Sequence, residues 1–201
     1  AAVSSLNLAI PTISDALNAS GTQLLWIVDS YGLVFAGFLL PAGALGDRFG
    51  RKEALIVGLI IVLITSIGAS SANSSAALIG WRSAMGAGAA LIMPATLSII
   101  TVVFPKNERS RAIAIWVGFA GAGGALGLLA GGALLEAFWW GSVFFVNVPV
   151  AAAVLLAVVA IVPTSKDSQH RKLDYVGAIV SIVALAALLF AIIEGPERGW
   201  G

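Results

Sequence analysis

Long stretches without a single charge recur along this chain, and they constrain its fold more than any other feature. Ser30 to Gly46, Ala54 to Ser71, Ala112 to Leu135, Ser142 to Val162 and Tyr175 to Ile193 contain no Asp, Glu, Lys or Arg. Ala76 to Phe104 is interrupted only by Arg82. A helix crosses a bilayer with about 20 mostly apolar residues, because the hydrocarbon core is about 30 Å thick. The composition points the same way, with 59% hydrophobic and only 10% charged residues, where a soluble domain averages about 25% charged. Mean hydropathy is +1.00. With residues 1–13 as the last part of a first helix and the second starting near Leu24, the chain carries seven spans, the first truncated. It opens at Ala1 inside an apolar segment and stops at Gly201 just past a helix-ending sequence, so it reads as part of a longer protein. No basic flank or small-residue cleavage pattern marks a signal peptide.

Basic residues orient the spans. Of 11 Lys and Arg residues, Arg82 lies within a helix and Arg198 in a loop on one side. The others, namely Arg48, Arg51, Lys52, Lys106, Arg109, Arg111, Lys166, Arg171 and Lys172, fall in the loops at 46–53, 105–111 and 163–173. Short cytoplasmic loops collect Lys and Arg, so these three loops are expected inside. A net charge of +1 gives no basic face for nucleic acid. The chain has no cysteine, and its single histidine, His170, lies in the most polar stretch, which argues against a metal site. The expected organisation is a transmembrane bundle over 1–162, a cytoplasmic linker over 163–173, and a seventh helix with an outer loop over 174–201.

An internal echo adds a symmetry. Gly43-Ala44-Leu45-x-Asp47-x-Phe49 is repeated as Gly132-Ala133-Leu134-x-Glu136-x-Phe138. The first copy ends helix two inside, and the second ends helix five outside, so the second is inverted. Inverted three-helix repeats recur among transporters.

The segment GALGDRFGRK at 43–52 is the strongest motif. Gly46 and Gly50 suit a tight turn between helices, while Arg48, Arg51 and Lys52 hold it in the cytoplasm. Asp47 is an acid that the charge bias alone does not ask for. This stretch resembles the loop between helices two and three of the major facilitator superfamily, where acid and bases latch the two halves of a transporter; the resemblance gives Gly43, Gly46, Asp47, Arg48, Gly50, Arg51 and Lys52 that role. LIGWRSAMGAGAA at 78–90 is similar to the family's fourth-helix motif, with Arg82 as its buried arginine. Gly123, Gly127, Gly131 and Gly132 stand where the drug exporters have their antiporter motif, with Leu128 where that motif usually has proline. LLWIVDSYGLVFAGFLLPAGALGDRFGRK, FWWGSVFFVNVPV at 138–150 and IIEGPERGW at 192–200 narrow the resemblance to fourteen-helix drug:proton antiporters, close to the quaternary-ammonium exporters of the QacA and SmvA type. The short polar linker before the seventh span suits fourteen helices better than twelve. The resemblance implies an all-α membrane protein of the bacterial cytoplasmic membrane, a six-helix N-terminal bundle plus one further helix, completed by a C-terminal half. It places Asn7 and Pro11 in the family's first-helix pattern, with Ala2 where an acid is common.

Charge inside a bilayer costs about 2.5–3.5 kcal/mol on insertion scales, so it usually marks function. Asp29 is the one acid well inside a span. Arg82 enters its helix from the same side, and either pairs with Asp29 or donates to helix carbonyls. Trp26 and Tyr31 flank Asp29 and could stack on a cationic ligand or anchor at the interface. Glu136, Glu194 and Glu197 read as solvated charges at outer helix ends, with Glu136 also a candidate outer latch. The leading functional expectation is export of lipophilic organic cations in exchange for protons, with no cofactor. Transport of a neutral or anionic metabolite is the second. An intramembrane hydrolase lacks a nucleophile with a base.

Overall fold

The computed structural model describes residues 2–164 and 175–195, and every regular element among them is helical. In chain order these are α1 (Ala2–Leu17), α2 (Gly21–Phe49), α3 (Arg51–Ser70), α4 (Ser75–Val103), α5 (Arg109–Ala137), α6 (Ser142–Phe145), α7 (Asn147–Ile161) and α8 (Tyr175–Glu194). Five segments are long and apolar enough to cross a membrane: α2, α3, α4, α5 and the α6–α7 stretch. The expected linker at 163–173 falls mostly outside the described residues, as do His170, Lys166, Arg171, Lys172, Glu197 and Arg198.

Local chemistry moves several expected boundaries. The first helix runs to Leu17 rather than residue 13, and Asn18 ends it in the left-handed region at φ 46°, a conformation Asn tolerates better than most residues. The second begins at Gly21 rather than near Leu24, because Ser20 and Gln23 form a capping box: the Gln23 amide donates to Ser20 Oγ at 3.3 Å, and the Ser20 amide donates to Gln23 Oε1 at 3.0 Å. The sixth span keeps helical torsions through Val146 (φ −59°, ψ −25°), whose amide donates to Ser142 O at 3.0 Å, so the single helix expected there runs on from α6 into α7 with only a local loss of bonding. Pro149 lacks the amide that would reach the carbonyl of Phe145, and its ring crowds that carbonyl. Asn147 Nδ2 donates to Phe144 O at 3.0 Å and covers part of the opened end.

Small residues set the packing, as expected where lipid is as apolar as the side chains and helices gain by close approach. A Cβ on Gly58 of α3 would stand 2.7 Å from the carbonyl oxygen of Gly88 on α4. One core cluster gathers Leu6, Ala9 and Ile13 of α1, Ile27 of α2, Ala69 of α3, Leu78 and Met85 of α4 and Phe144 of α6. A second joins Leu55 and Leu59 of α3, Ala95 of α4 and Val158 of α7.

The inverted echo has a packing counterpart. Gly43 of α2 sits against Pro94 of α4, and Gly131 of α5 sits against Ser5 of α1. The sequence offset that carries Gly43 onto Gly132 also carries Ser5 onto Pro94, but the contact on α5 falls one residue away, at Gly131, while Gly132 has nothing within 4 Å of a built Cβ, so the two crossings correspond only to within a residue. Helix α5 otherwise turns outward, with only Gly127 and Gly131 buried along its length.

The orientation read from the basic loops makes a direct prediction. A Cys replacing Lys106, exposed between α4 and α5, should react with an impermeant thiol reagent only from the cytoplasm. One replacing Asn73, exposed between α3 and α4, should react only from outside; the adjacent Ser74 is avoided because it caps α4. Labelling of position 106 from outside in intact cells would overturn the orientation.

Candidate functional site

The N-terminal half of α2 carries the charge expected inside the membrane. Because α2 starts at Gly21, Asp29 lies eight residues into the helix, about 12 Å at 1.5 Å per residue. Arg82 lies seven residues into α4, at a similar depth of about 10 Å. The structure chooses between the two expectations for Arg82. It is fully buried, and its Nε donates to the carbonyl of Ile27 at 3.0 Å, its Nη2 to that of Val28 at 3.1 Å. Its guanidinium lies over the Tyr31 ring at 4.7 Å, and its buried Nη1 is an unused donor. Asp29, partly exposed, forms no salt bridge with Arg82 and no hydrogen bond among the described residues, although it lies within electrostatic reach of the guanidinium. Arg82 therefore fastens α4 to the α2 backbone and leaves the Asp29 carboxylate uncommitted.

Gly86 makes that fastening possible. It sits one turn below Arg82, and a Cβ there would collide with the carbonyl oxygen of Tyr31 and stand 3.1 Å from the Phe35 amide nitrogen. The absent side chain lets α4 press against α2 so that Arg82 reaches two carbonyls.

Trp26 is taken up by a partner that the sequence did not suggest. Its indole Nε1 donates to Glu194 Oε1 of α8 at 3.0 Å, and its ring meets that of Phe190 with centroids 6.4 Å apart. Glu194, expected as a solvated loop charge, is instead the partly buried last residue of α8 and the acceptor of this bond. Tyr31 stacks on Phe35 at 6.1 Å with its other neighbour the Arg82 cation. Asn7 is exposed on α1 and bonds to no described residue. Glu136 is exposed in the last turn of α5.

A groove of about 460 Å³ opens beside Tyr31 and Phe35, walled by Ile92 and Met93 of α4 and Trp116 and Phe119 of α5. That volume is in the range of small-molecule pockets. Sequence reading missed Phe35, Trp116 and Phe119; the available signal was aromatics on otherwise glycine- and alanine-rich faces. Asp29 does not line this groove.

The turn at 46–50 is built from one residue. Gly50 both ends α2 and starts α3 at φ 127°, a left-handed value that strains any other L-residue. A Cβ on Gly50 would also collide with the Glu53 carboxylate, and one on Gly46 would touch Ala54. Asp47 pairs with Arg51, Nη2 and Nε each 3.1 Å from Oδ1. Lys52 Nζ donates to the carbonyl of Val159 at 2.9 Å, near the end of α7, where unpaired carbonyls attract a cation. Arg48 is exposed over the Phe49 ring. On α5, Gly127 and Gly131 are buried and Gly123 is partly so, but Gly132 has nothing within 4 Å of a built Cβ. With Leu128 in place of proline, α5 runs unbroken. No cluster of three His, Asp or Glu forms among the described residues.

A family model described as Major Facilitator Superfamily matches residues 1–195. The chain belongs to the major facilitator superfamily. It is therefore a membrane transport protein by family, which sets aside the hydrolase reading. The methyl viologen resistance protein SmvA of Salmonella typhimurium is 40% identical over 187 residues, covering 92% of this chain and 38% of that protein. The multidrug efflux pump LfrA of Mycolicibacterium smegmatis is 40% identical over 195 residues, 96% of this chain and 39% of the pump. The multidrug resistance protein Stp of Mycobacterium tuberculosis is 36% identical over 196 residues, 97% and 36% respectively. The chain thus spans under two fifths of the length of these relatives. A crystal structure of the peptide transporter POT superposes with a TM-score of 0.70 at 18% identity, covering 100% of this chain and 45% of that one, a likeness of fold.

Proposed function

We propose that the protein exports lipophilic organic cations across the cytoplasmic membrane in exchange for protons, and that Asp29 reads the positive charge. The observation that carries this reading is the spending of Arg82 on the Ile27 and Val28 carbonyls, which leaves a partly exposed carboxylate on α2 without a hydrogen-bonded side-chain partner among the described residues. A carboxylate held away from bulk water attracts a cation more strongly than one in water. The groove at Tyr31, Phe35, Trp116 and Phe119 offers apolar and aromatic walls to the body of such a substrate. The names of the relatives agree in kind, and methyl viologen is a flat dication. Substrate would lie between this bundle and a C-terminal half.

The test is accumulation of a methyl viologen-type cation in inverted vesicles containing the full-length protein, with and without an imposed proton gradient. Accumulation that collapses with the gradient supports the reading. Accumulation that persists without it, or that is seen only with anions, rejects it.

The charged turn belongs to the same proposal, with Asp47 as a latch toward the C-terminal half. Asp47→Asn should lower transport several-fold while membrane expression stays near normal. Its pair with Arg51 is an i,i+4 contact with the Asp47 side chain 48% exposed, and such pairs contribute only about 0.3–0.5 kcal/mol. Lost transport at unchanged melting would therefore report the latch. Full transport would reduce the turn to an anchor that Lys52 ties to α7.

A further inference from the structure

Helix α8 touches the bundle chiefly along α2, and three separate observations describe the seam. At the outer end, Trp26 Nε1 donates to Glu194 Oε1 at 3.0 Å, and the Trp26 and Phe190 rings meet at 6.4 Å. Near the middle, Gly37 is buried against α8, and a Cβ built on it would lie 3.1 Å from Ile182 Cγ1 and 3.7 Å from Ile182 Cβ. Along α8 itself, Ile182, Ala186, Leu189 and Ile193 are shielded, with Ile193 only 4% exposed, and Gly177, Ser181 and Glu194 are partly so beside them. The first four recur at i, i+4, i+7 and i+11, which is one stripe of a helix. The other faces stay open, with Val176, Val180, Val183 and Leu188 each at least 60% exposed.

We propose that α8 is a fixed member of the N-terminal bundle, clasped to α2 by Trp26 and Glu194, and that it keeps this seat while the protein works. The chemistry of the seam explains why it holds. The Gly37 notch admits a branched side chain, which gives close apolar contact between two helices in lipid. The part-buried Trp26–Glu194 bond joins a neutral donor to a carboxylate, a charge-assisted contact stronger than one between neutral groups. Trp26 then acts as a docking residue for α8 rather than as a platform for substrate. The second half of the proposal rests on the transport reading; the first half does not.

The seam has the right geometry for a covalent test. Disulfides join Cβ atoms about 3.5–4.5 Å apart, and the built Gly37 Cβ lies 3.7 Å from Ile182 Cβ. In the full-length protein, with any cysteines beyond this chain removed, Gly37→Cys with Ile182→Cys should cross-link on mild oxidation. A protease site inserted between α7 and α8 would show it, as fragments that separate only after reduction. The cross-linked protein should keep at least half of its transport. Adding Trp26→Phe, which keeps an aromatic ring but removes the donor, should slow cross-linking several-fold, whereas Glu194→Gln, which retains an acceptor, should slow it less. No cross-link at all would show that α8 does not sit on α2. A cross-link that stops transport, restored by reduction, would show that α8 must leave α2 in the cycle. If the 37/182 pair does not reach the membrane, Trp26→Cys with Phe190→Cys and a short bifunctional thiol reagent asks the same question at the outer end. A protein that cross-links but transports nothing in either redox state sinks the transport reading and leaves the seam standing.

Discussion

Asp29→Asn in the full-length protein should abolish most resistance to dicationic compounds while sparing that to neutral ones. The substitution keeps size and removes charge, at a position with no salt bridge or hydrogen bond among the described residues, and Arg82 keeps its bonds to the Ile27 and Val28 carbonyls, so the fold should be little affected. Contacts to a charged group contribute about 1.5–3 kcal/mol, so dication efflux should fall on the order of tenfold or more at about 1.4 kcal/mol per tenfold. Monocations should lose less, and Asp29→Glu should retain part of the activity. Efflux and growth with matched mono- and divalent cations at equal expression decide the matter. Unchanged export of dications by Asp29→Asn would remove the charge-reading role from Asp29.

Gly86→Ala should be among the most damaging single-methyl additions in the bundle. The new Cβ would run into the backbone of α2 at Tyr31 and Phe35, and backbone cannot swing aside as a side chain can. Overpacking typically costs about 1–3 kcal/mol. Pushing α4 away would also stretch the bonds from Arg82 to Ile27 and Val28, so the cost should reach the upper part of that range. Gly80→Ala, on the same helix with nothing within 4 Å, is the control. It should be neutral or slightly stabilising, since Ala is favoured over Gly in helices by up to about 1 kcal/mol. Melting of the two variants in detergent separates them. Equal melting would mean that α4 does not depend on this approach.

Five of the expected spans were legible because uncharged runs of bilayer length have few alternative folds. The turn at 46–50 was legible because glycine at a required left-handed position and flanking charge are both written in the residues. The inverted echo pointed to Gly43 and Gly132, but the close approaches are made by Gly43 on Pro94 and by Gly131 on Ser5, one residue out of register. The local loss of bonding between α6 and α7 was also in the letters, as Pro149, but apolar run length gives no weight to a missing amide. Partner choice was beyond reach. Nothing local says that Arg82 spends its donors on carbonyls rather than on Asp29, or that Trp26 finds Glu194, because both outcomes depend on which helices become neighbours. The aromatic groove was missed for the same reason, since α2, α4 and α5 each contribute walls that no single segment displays.

The bond between Trp26 and Glu194 joins residues 168 positions apart, and that separation has a cost in time during synthesis. At roughly 5–20 residues per second, α2 waits on the order of ten to thirty seconds in the bilayer before α8 is made. Through that interval the Gly37 notch is lined by acyl chains and the Trp26 indole must find water or headgroups at the interface. Helices α3 and α4 can settle on α2 long before, since their contacts need far less chain. Helix α8 would therefore arrive at a surface that the helices before it had already formed, and would take its seat on α2 by displacing lipid, which makes this seam later to close than the contacts of α2 with α3 and α4.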